Sequence, residues 1–351
     1  MPAAGTLASV SDMWLWLQAR YIILNGGSLI IGSKDVPYPG KATITLWGGP
    51  KERELPGFGA KCIAVRSGDL QLHGRHKEPV WTQLAAGAPM AVGDGQLTVQ
   101  GPVNWERGDR IVVSPSSFDA THVDELTIAT VAYSAADNTT TLTTEETARF
   151  QHLAAIITEH ESDTGLRVDM RAEVAVLSRD VVIEGDPDSA RYQFGAHVMM
   201  HSPPQLGPEA QSNMWVEQVE VRHAGQAFRL GRYPLHFHMS GARPGNYIRG
   251  CAIHHTFNRA VTMHGTNETL VANNVAFDSL GHQFFVEDGS EAMNTYDGNL
   301  AILARQSHAL LATDTTPANF WMTNPNNTVI NNVAAGTTAG YGFWYRCAPP
   351  Y

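Results

Sequence analysis

Short runs of alternating apolar and polar residues, each closed by glycine, set the pattern over residues 20–115. Tyr21-Ile22-Ile23-Leu24 runs to Gly26-Gly27, Leu29-Ile30-Ile31 to Gly32, and Ala42-Thr43-Ile44-Thr45-Leu46 to Gly48-Gly49. Cys62-Ile63-Ala64-Val65 and Leu70-Gln71-Leu72-His73-Gly74 follow. A period of two sends alternate side chains to one face, so each run reads as a short, half-buried strand. Residues 103–113 read as a turn feeding a strand, and residues 127–142 as two strands around Asp137-Asn138. The clearest loop is the Pro/Gly-rich polar stretch 203–213.

The second half repeats. Val219-Glu220-Val221-Arg222-His223 can be laid over Cys251-Ala252-Ile253-His254-His255 and over Val275-Ala276-Phe277-Asp278-Ser279. Leu300-Ala301-Ile302-Leu303 and Val333-Ala334-Ala335-Gly336 continue the series, at intervals of 24, 25 and 33 residues. Asn273-Asn274, Asn299 and Asn331-Asn332 stand just before three of these runs. A repeat of this length cannot bury its own apolar face and must stack on its neighbours. The expected class is therefore all-β, a parallel β-helix with equivalent residues in ladders ~4.8 Å apart, and with very little helix.

A second strand in each repeat concentrates the candidate chemistry. Leu235-His236-Phe237-His238, Val261-Thr262-Met263-His264 and Phe285-Val286-Glu287-Asp288 each end near a glycine (Gly241, Gly265, Gly289). Alternation sends Leu235, Phe237, Val261 and Met263 inward and His236, His238 and His264 outward. His238, His264 and a carboxylate then share one column. A slip of one residue exchanges Glu287 for Asp288. Two imidazoles and a carboxylate suit a divalent metal (Ca or Zn, with His238, His264 and Asp288 as ligands). They equally suit an acid/base set for hydrolysis, with Glu287, Asp288 and His264 as catalytic groups. A hydrogen-bonded ladder that only orders the coil is the third reading. The first strands add His223, His254, His255 and Asp278, and the bend before Phe284 adds His282.

Charge changes this picture locally. The net charge of −10 argues against nucleic acid and anionic membranes. Yet residues 222–259 hold six arginines (Arg222, Arg229, Arg232, Arg243, Arg249, Arg259) and no Asp or Glu. Such a block beside the histidine column predicts an anion-binding strip, with Arg222, Arg232, His236, Arg259 and His282 contacting an anionic polysaccharide or cell-surface glycan. The competing expectation is that these arginines cap carbonyls at rung edges. Arg171, Glu173 and Arg179 are expected to form an ion network at the first rung of the coil. Phe320-Trp321 and Phe343-Trp344-Tyr345 serve either as core or as sugar-stacking platforms.

The remaining composition adds little. Three separated cysteines, Cys62, Cys251 and Cys347, make neither a disulfide framework nor a zinc knuckle and read as buried thiols. No run reaches the ~18 apolar residues of a membrane span. The first 18 residues show no signal-peptide pattern. Asn138, Asn267 and Asn326 head Asn-x-Thr acceptor triplets, a weak sign of a secreted glycoprotein.

Several motifs are familiar. Residues 21–49, with Gly-Gly-x-Leu-x-Ile-Gly and Pro-Tyr-Pro-Gly-Lys-Ala-Thr-Ile-Thr-Leu, continuing through 70–74 and 105–113, resemble the G8 domain. Residues 169–174, 232–238 (Arg-Tyr-Pro-Leu-His-Phe-His), 254–257, 281–289 (Gly-His-Gln-Phe-Phe-Val-Glu-Asp-Gly) and 320–325 resemble the β-helix that follows it in fibrocystins and in the cell-migration-inducing, hyaluronan-binding proteins. The resemblance implies a right-handed parallel β-helix and an extracellular or cell-surface ectodomain, with hyaluronan depolymerisation in some members. Those members carry a long extra domain after the pair equivalent to Trp81-Thr82. Here about twenty residues separate Thr82 from Asn104-Trp105, as in fibrocystin-L, so residues assigned to that domain do not transfer. The expected organisation is a G8 domain over 1–120, partial at its N-terminus, connecting strands over 121–165, and β-helix repeats over 166–351. Both ends are expected to continue in a longer protein. Polysaccharide binding is the expected function, with a metal-assisted depolymerase or a structural stalk as alternatives.

Overall fold

A computed structural model describes residues 14–158, 167–202, 207, 211–309 and 311–346. Cys347 and most of the 203–213 loop lie outside them. The strands stack into a coil with three parallel walls. The first wall runs from Trp14–Ala19 through Lys41–Leu46, Val181–Gly185, Val219–Arg222, Ala252–Thr256, Val275–Leu280 and Leu300–Arg305 to Val333–Thr337. The second runs from Tyr21–Asn25 through Cys62–Arg66, His197–His201, Leu235–Ala242, Val261–Asn267, Phe284–Val286 and Ala318–Met322 to Tyr341–Tyr345. The third, of seven strands, begins at Ser28–Ile31 and Asp69–His73 and ends at Thr328–Ile330.

The boundary expected at residue 120 does not part the coil. Lys41–Leu46 pairs in parallel with Val181–Gly185, and Cys62–Arg66 with His197–His201. The glycine-punctuated strands before residue 74 are thus the first two rungs of the β-helix. What interrupts it is a six-stranded antiparallel sheet that includes Trp81–Gln83, Arg110–Val113, Asp124–Ser134 and Glu173–Val176. This sheet packs on the outside of the first wall. Val112, Ala120, Val123, Ala175 and Leu177 form one apolar cluster with Val275, Phe277, Leu300 and Ile302.

Inside the coil, side chains of one period stack rung upon rung. Ile63, Val198, Leu235, Val261 and Phe284 fill the lumen with Ile44, Ile183, Val221 and Ile253. Phe320 lies parallel to Phe284 at 4.9 Å and to Phe343 at 4.7 Å, so this aromatic is core and not a sugar platform. Sharp corners come from single residues at positive φ. Gln218, Gly250, Asn273, Gly298 and Asn331 occupy equivalent bends between the third and first walls. Glycine and asparagine recur there because they tolerate the left-handed region at least cost.

The expected Arg171/Glu173/Arg179 network does not form. Arg171 pairs with Asp169, Glu173 accepts from the Ser114 hydroxyl, and buried Arg179 donates to the carbonyls of Gly250, Val176 and Ser178. Glu173 lies in the antiparallel sheet, so its neighbours are that sheet's strands and not a rung. Cys62 and Cys251 are buried free thiols whose pKa values burial pushes up to about 12.

Candidate functional site

The outer face of the second wall gathers the imidazoles. Leu235 and Phe237 point into the lumen, so His236 and His238 must point out. Parallel register then aligns His201 with His238, and His238 with His264. The ring centroids are 5.2 Å and 4.9 Å apart, close to one rung. Val286 pairs with Met263, and the Glu287 N–H donates to the Met263 carbonyl at 3.0 Å, which makes Glu287 the next member of the column. Both carboxylates nevertheless reach His264. Asp288 Oδ2 lies 2.9 Å from Nε2, and Glu287 Oε2 lies 3.7 Å from Nδ1.

One ring nitrogen from each of His236, His238 and His264 falls within 4.8 Å of the other two. His236 Nδ1 donates to the Gly231 carbonyl at 3.0 Å, while its buried Nε2 has no partner. His238 Nδ1 and His264 Nδ1 face each other at 3.1 Å. Glu287 Oε2 is also buried without a partner. The unpaired His236 Nε2 thus stands beside two facing imidazole nitrogens, with the unpaired Glu287 Oε2 3.7 Å from one of them, in a setting where unmet polar groups are costly. Burial lowers the pKa of His236 well below the usual range. It brings His238 to about 4, helped by His264, His201 and Arg232. Both rings are therefore neutral at pH 7, each with one unprotonated nitrogen. Burial also raises the pKa of the Glu287 carboxyl.

The surroundings hold these groups in place. The buried Glu291 carboxylate accepts the N–H groups of Gly265, Asp288 and Gly289, fixing the bend that carries Asp288. Tyr233 donates to Glu287 Oε1 at 3.4 Å and accepts from Arg259 Nη1 at 3.1 Å. Arg259 is fully buried, pairs with Asp314 at 2.9 Å and stacks 3.9 Å from the Phe285 ring centroid.

The expected arginine strip is not a surface. Arg259, His236 and His282 are all fully buried. His282 packs against both the Phe285 and Trp321 rings and lies 3.6 Å from Asp314. Arg222 is held by Glu184 at 2.7 Å and Glu220 at 3.1 Å, Arg249 by Glu217 at 2.7 Å, and Arg229 by Glu54 at 3.5 Å. Of the three arginines assigned to the glycan, half-buried Arg232 alone makes no ion pair among the described residues. It leans 3.4 Å from the Gly57 carbonyl. The physical reason is that stacking delivers acids from earlier and later rungs to a stretch whose own sequence has none.

The expected metal set of His238, His264 and Asp288 does not share one point: the ring nitrogens that approach one another belong to His236, His238 and His264. Asp288 sits on the far nitrogen of His264. His201 belongs to the same column, since inward Val198 and Met200 turn Met199 and His201 outward. It donates from Nδ1 to the His238 carbonyl at 2.9 Å. His223, His254, His255 and Asp278 lie elsewhere, on the first wall beneath the antiparallel sheet. There His254 meets Glu220 and His255 meets Glu125, each at 3.2 Å.

Three parallel walls with an antiparallel sheet inserted after the second rung define a parallel β-helix protein with a G8 segment built into its start. Residues 2–85 match the G8 domain and residues 193–350 the CEMIP beta-helix. The chain belongs to this G8/β-helix family. It is 40% identical to human fibrocystin-L over 94% of its own length and 8% of that protein's. Human cell surface hyaluronidase CEMIP2 is 33% identical over 69% of this chain and 19% of its own. Human cell migration-inducing and hyaluronan-binding protein is 36% identical over 51% and 16% respectively. The chain therefore spans less than a fifth of each of these relatives.

Proposed function

We propose that this chain is a cell-surface ectodomain segment whose second wall holds a divalent transition metal, and that the ion takes an anionic glycan. The observation that carries the reading is the approach of three imidazole nitrogens, from His236, His238 and His264, to within 4.8 Å of one another, with His236 Nε2 buried and unpaired. An ion needs ~2.0–2.1 Å to each nitrogen, so a small inward movement of the three side chains would close them round one. Glu287 supplies a fourth ligand. The Gly231 carbonyl orients His236 and Asp288 orients His264 through their outer nitrogens, the usual support of metal-bound imidazole. Nitrogen ligands suit zinc; calcium, the other expected ion, takes six to eight oxygens. In this reading Glu287, His264 and Asp288 serve the ion rather than acid–base chemistry.

The glycan side rests on the relatives, two of which carry hyaluronan in their names. With most of the arginines buried or paired, the ion would take a glycan carboxylate by direct ligation at an open position, and Arg232 is the arginine beside His238 that makes no ion pair. His264 and Asp288 keep the ion's outer side open, with side chains 21% and 51% exposed. Hyaluronan binding by the zinc-loaded chain, by the chelator-stripped chain and by His264→Ala is the test. Binding should be lost on chelation, return with zinc and be absent from the variant. Binding that survives chelation, or none in the zinc-loaded chain, contradicts the reading.

A further inference from the structure

A cleft of about 640 Å³ lies where the antiparallel sheet meets the coil, away from the second wall. Its floor follows the corner between the third and first walls, through Gln218, Gly250 and Asn273 on three successive rungs. Gly250 leaves room on this floor for the Gln218 side chain, whose Oε1 accepts the Lys77 N–H at 3.1 Å. The opposite bank is the connection from His76 to Trp81. That bank is tied down from both sides. Asn104 donates to the His76 carbonyl at 2.9 Å and accepts the Glu78 N–H at 2.7 Å, and its own N–H donates to the Glu78 carbonyl at 3.0 Å. Trp81 Nε1 donates to the Gly298 carbonyl at 2.8 Å, pinning the indole at one end.

The polar groups alternate in sign across the cleft. Glu217, 2% exposed, accepts from Arg249 at 2.7 Å and faces His76 Nε2 at 3.8 Å. His76 Nδ1 meets Glu78 at 3.1 Å on the other bank. Two carboxylates, a guanidinium, an imidazole and two amides thus line one groove, beside an indole and the apolar Pro79 and Val80. The volume falls in the ~300–1,000 Å³ of small-ligand sites. Donors and acceptors set in pairs beside an indole and two apolar side chains match the alternating hydroxyls and C–H groups of a sugar. Charge decides the kind of sugar. Arg249 is already neutralised by Glu217, and Glu78, with a side chain 70% exposed, leaves the rim negative. A carboxylated or sulfated chain would meet like charge there.

We infer that this cleft is a binding site for a neutral oligosaccharide, separate from the proposed metal centre. The groove runs along the coil axis, across rungs ~4.8 Å apart, so it suits a linear stretch of sugar units rather than a single ring.

The test is an array of neutral and acidic oligosaccharides probed with the intact chain in chelator, which silences the metal centre. Neutral glycans should be retained, chitotetraose being the first to titrate in solution. Glu78→Gln changes an exposed side chain and should weaken binding at least tenfold, with Arg249→Lys doing the same through loss of the paired geometry. His264→Ala should leave the affinity unchanged. The inference is overturned if no neutral glycan is retained, if acidic glycans alone bind under chelation, or if both cleft variants bind like the parent. Because chelator is present throughout, failure here is distinct from failure of the metal reading.

Discussion

His197 shows what this coil asks of a single buried side chain. Its ring is fully buried on the second wall. Nε2 donates to the Phe58 carbonyl at 2.8 Å, and Nδ1 accepts from Gln226 Nε2 at 3.1 Å. The neutral tautomer is fully satisfied. A second proton would oppose the Gln226 donor in a site that water cannot reach, and burial, with Arg232 nearby, brings the pKa down to about 3. Unfolded, the same group titrates near 6.5. Between these values the unfolded chain binds the extra proton and the folded chain does not, so stability is whole above pH 6.5 and falls as pH drops toward 3. The slope for this group is about 1.4 kcal/mol per pH unit. Denaturant unfolding at pH 7.5 and pH 5 should show about 2 kcal/mol lost from His197, and His197→Gln should flatten that part of the profile. Equal stability at the two pH values would contradict this assignment.

At the scale of elements, asparagine ladders hold the corners. Asn299 Oδ1 accepts the Asn274 N–H and its side-chain amide, while Asn299 Nδ2 donates to the Val271 carbonyl and to Asn332 Oδ1. The motif repeats one rung on, where Asn332 accepts from Asn299 and donates to the Tyr296 carbonyl. Corner amides and carbonyls buried between rungs have no strand partner, so a side-chain amide supplies both bonds. Asn299→Leu leaves the Asn274 N–H and the Val271 carbonyl unmet, at about 1–3 kcal/mol each. Urea unfolding should show a loss of about 2–5 kcal/mol. A variant as stable as the parent would mean that the ladder is dispensable.

This element scale was the most legible in the sequence. The Asn pairs, the alternation of Leu235 to His238 and the 24–26-residue spacing depend on local periodicity, which one chain displays by itself. The column of His238, His264 and a carboxylate followed from it, with the choice between Glu287 and Asp288 left open. What was not legible depends on which rungs touch. His236 looked like surface because nothing in its own strand says that the loop carrying Tyr233 covers it. The arginine block looked unpaired because Glu184 and Asp314 lie 38 and 55 residues from the arginines they hold. The first two rungs were read as a separate domain because the inserted antiparallel sheet hides their pairing with rung three.

At the scale of the whole molecule, the coil separates two kinds of surface. Its second wall carries a cluster of buried and half-buried imidazoles, and the corner beside the inserted sheet carries an open, charged cleft. Net acidity spread over the chain and arginines tied to carboxylates leave no broad basic face for a polyanion. Recognition by this segment therefore rests on built sites and not on a field. Among the described residues no helix is long and apolar enough to cross a membrane.

The most direct test of the metal centre is calorimetric titration of zinc into the chelator-stripped chain, beside His238→Ala/His264→Ala and Asp288→Asn. The account predicts one ion per chain, loss of binding in the double variant with the β signature of the circular-dichroism spectrum kept, and a ten- to hundredfold weakening in Asp288→Asn, the range set by outer-shell partners. Absence of zinc binding, or equal binding by parent and double variant, would contradict it.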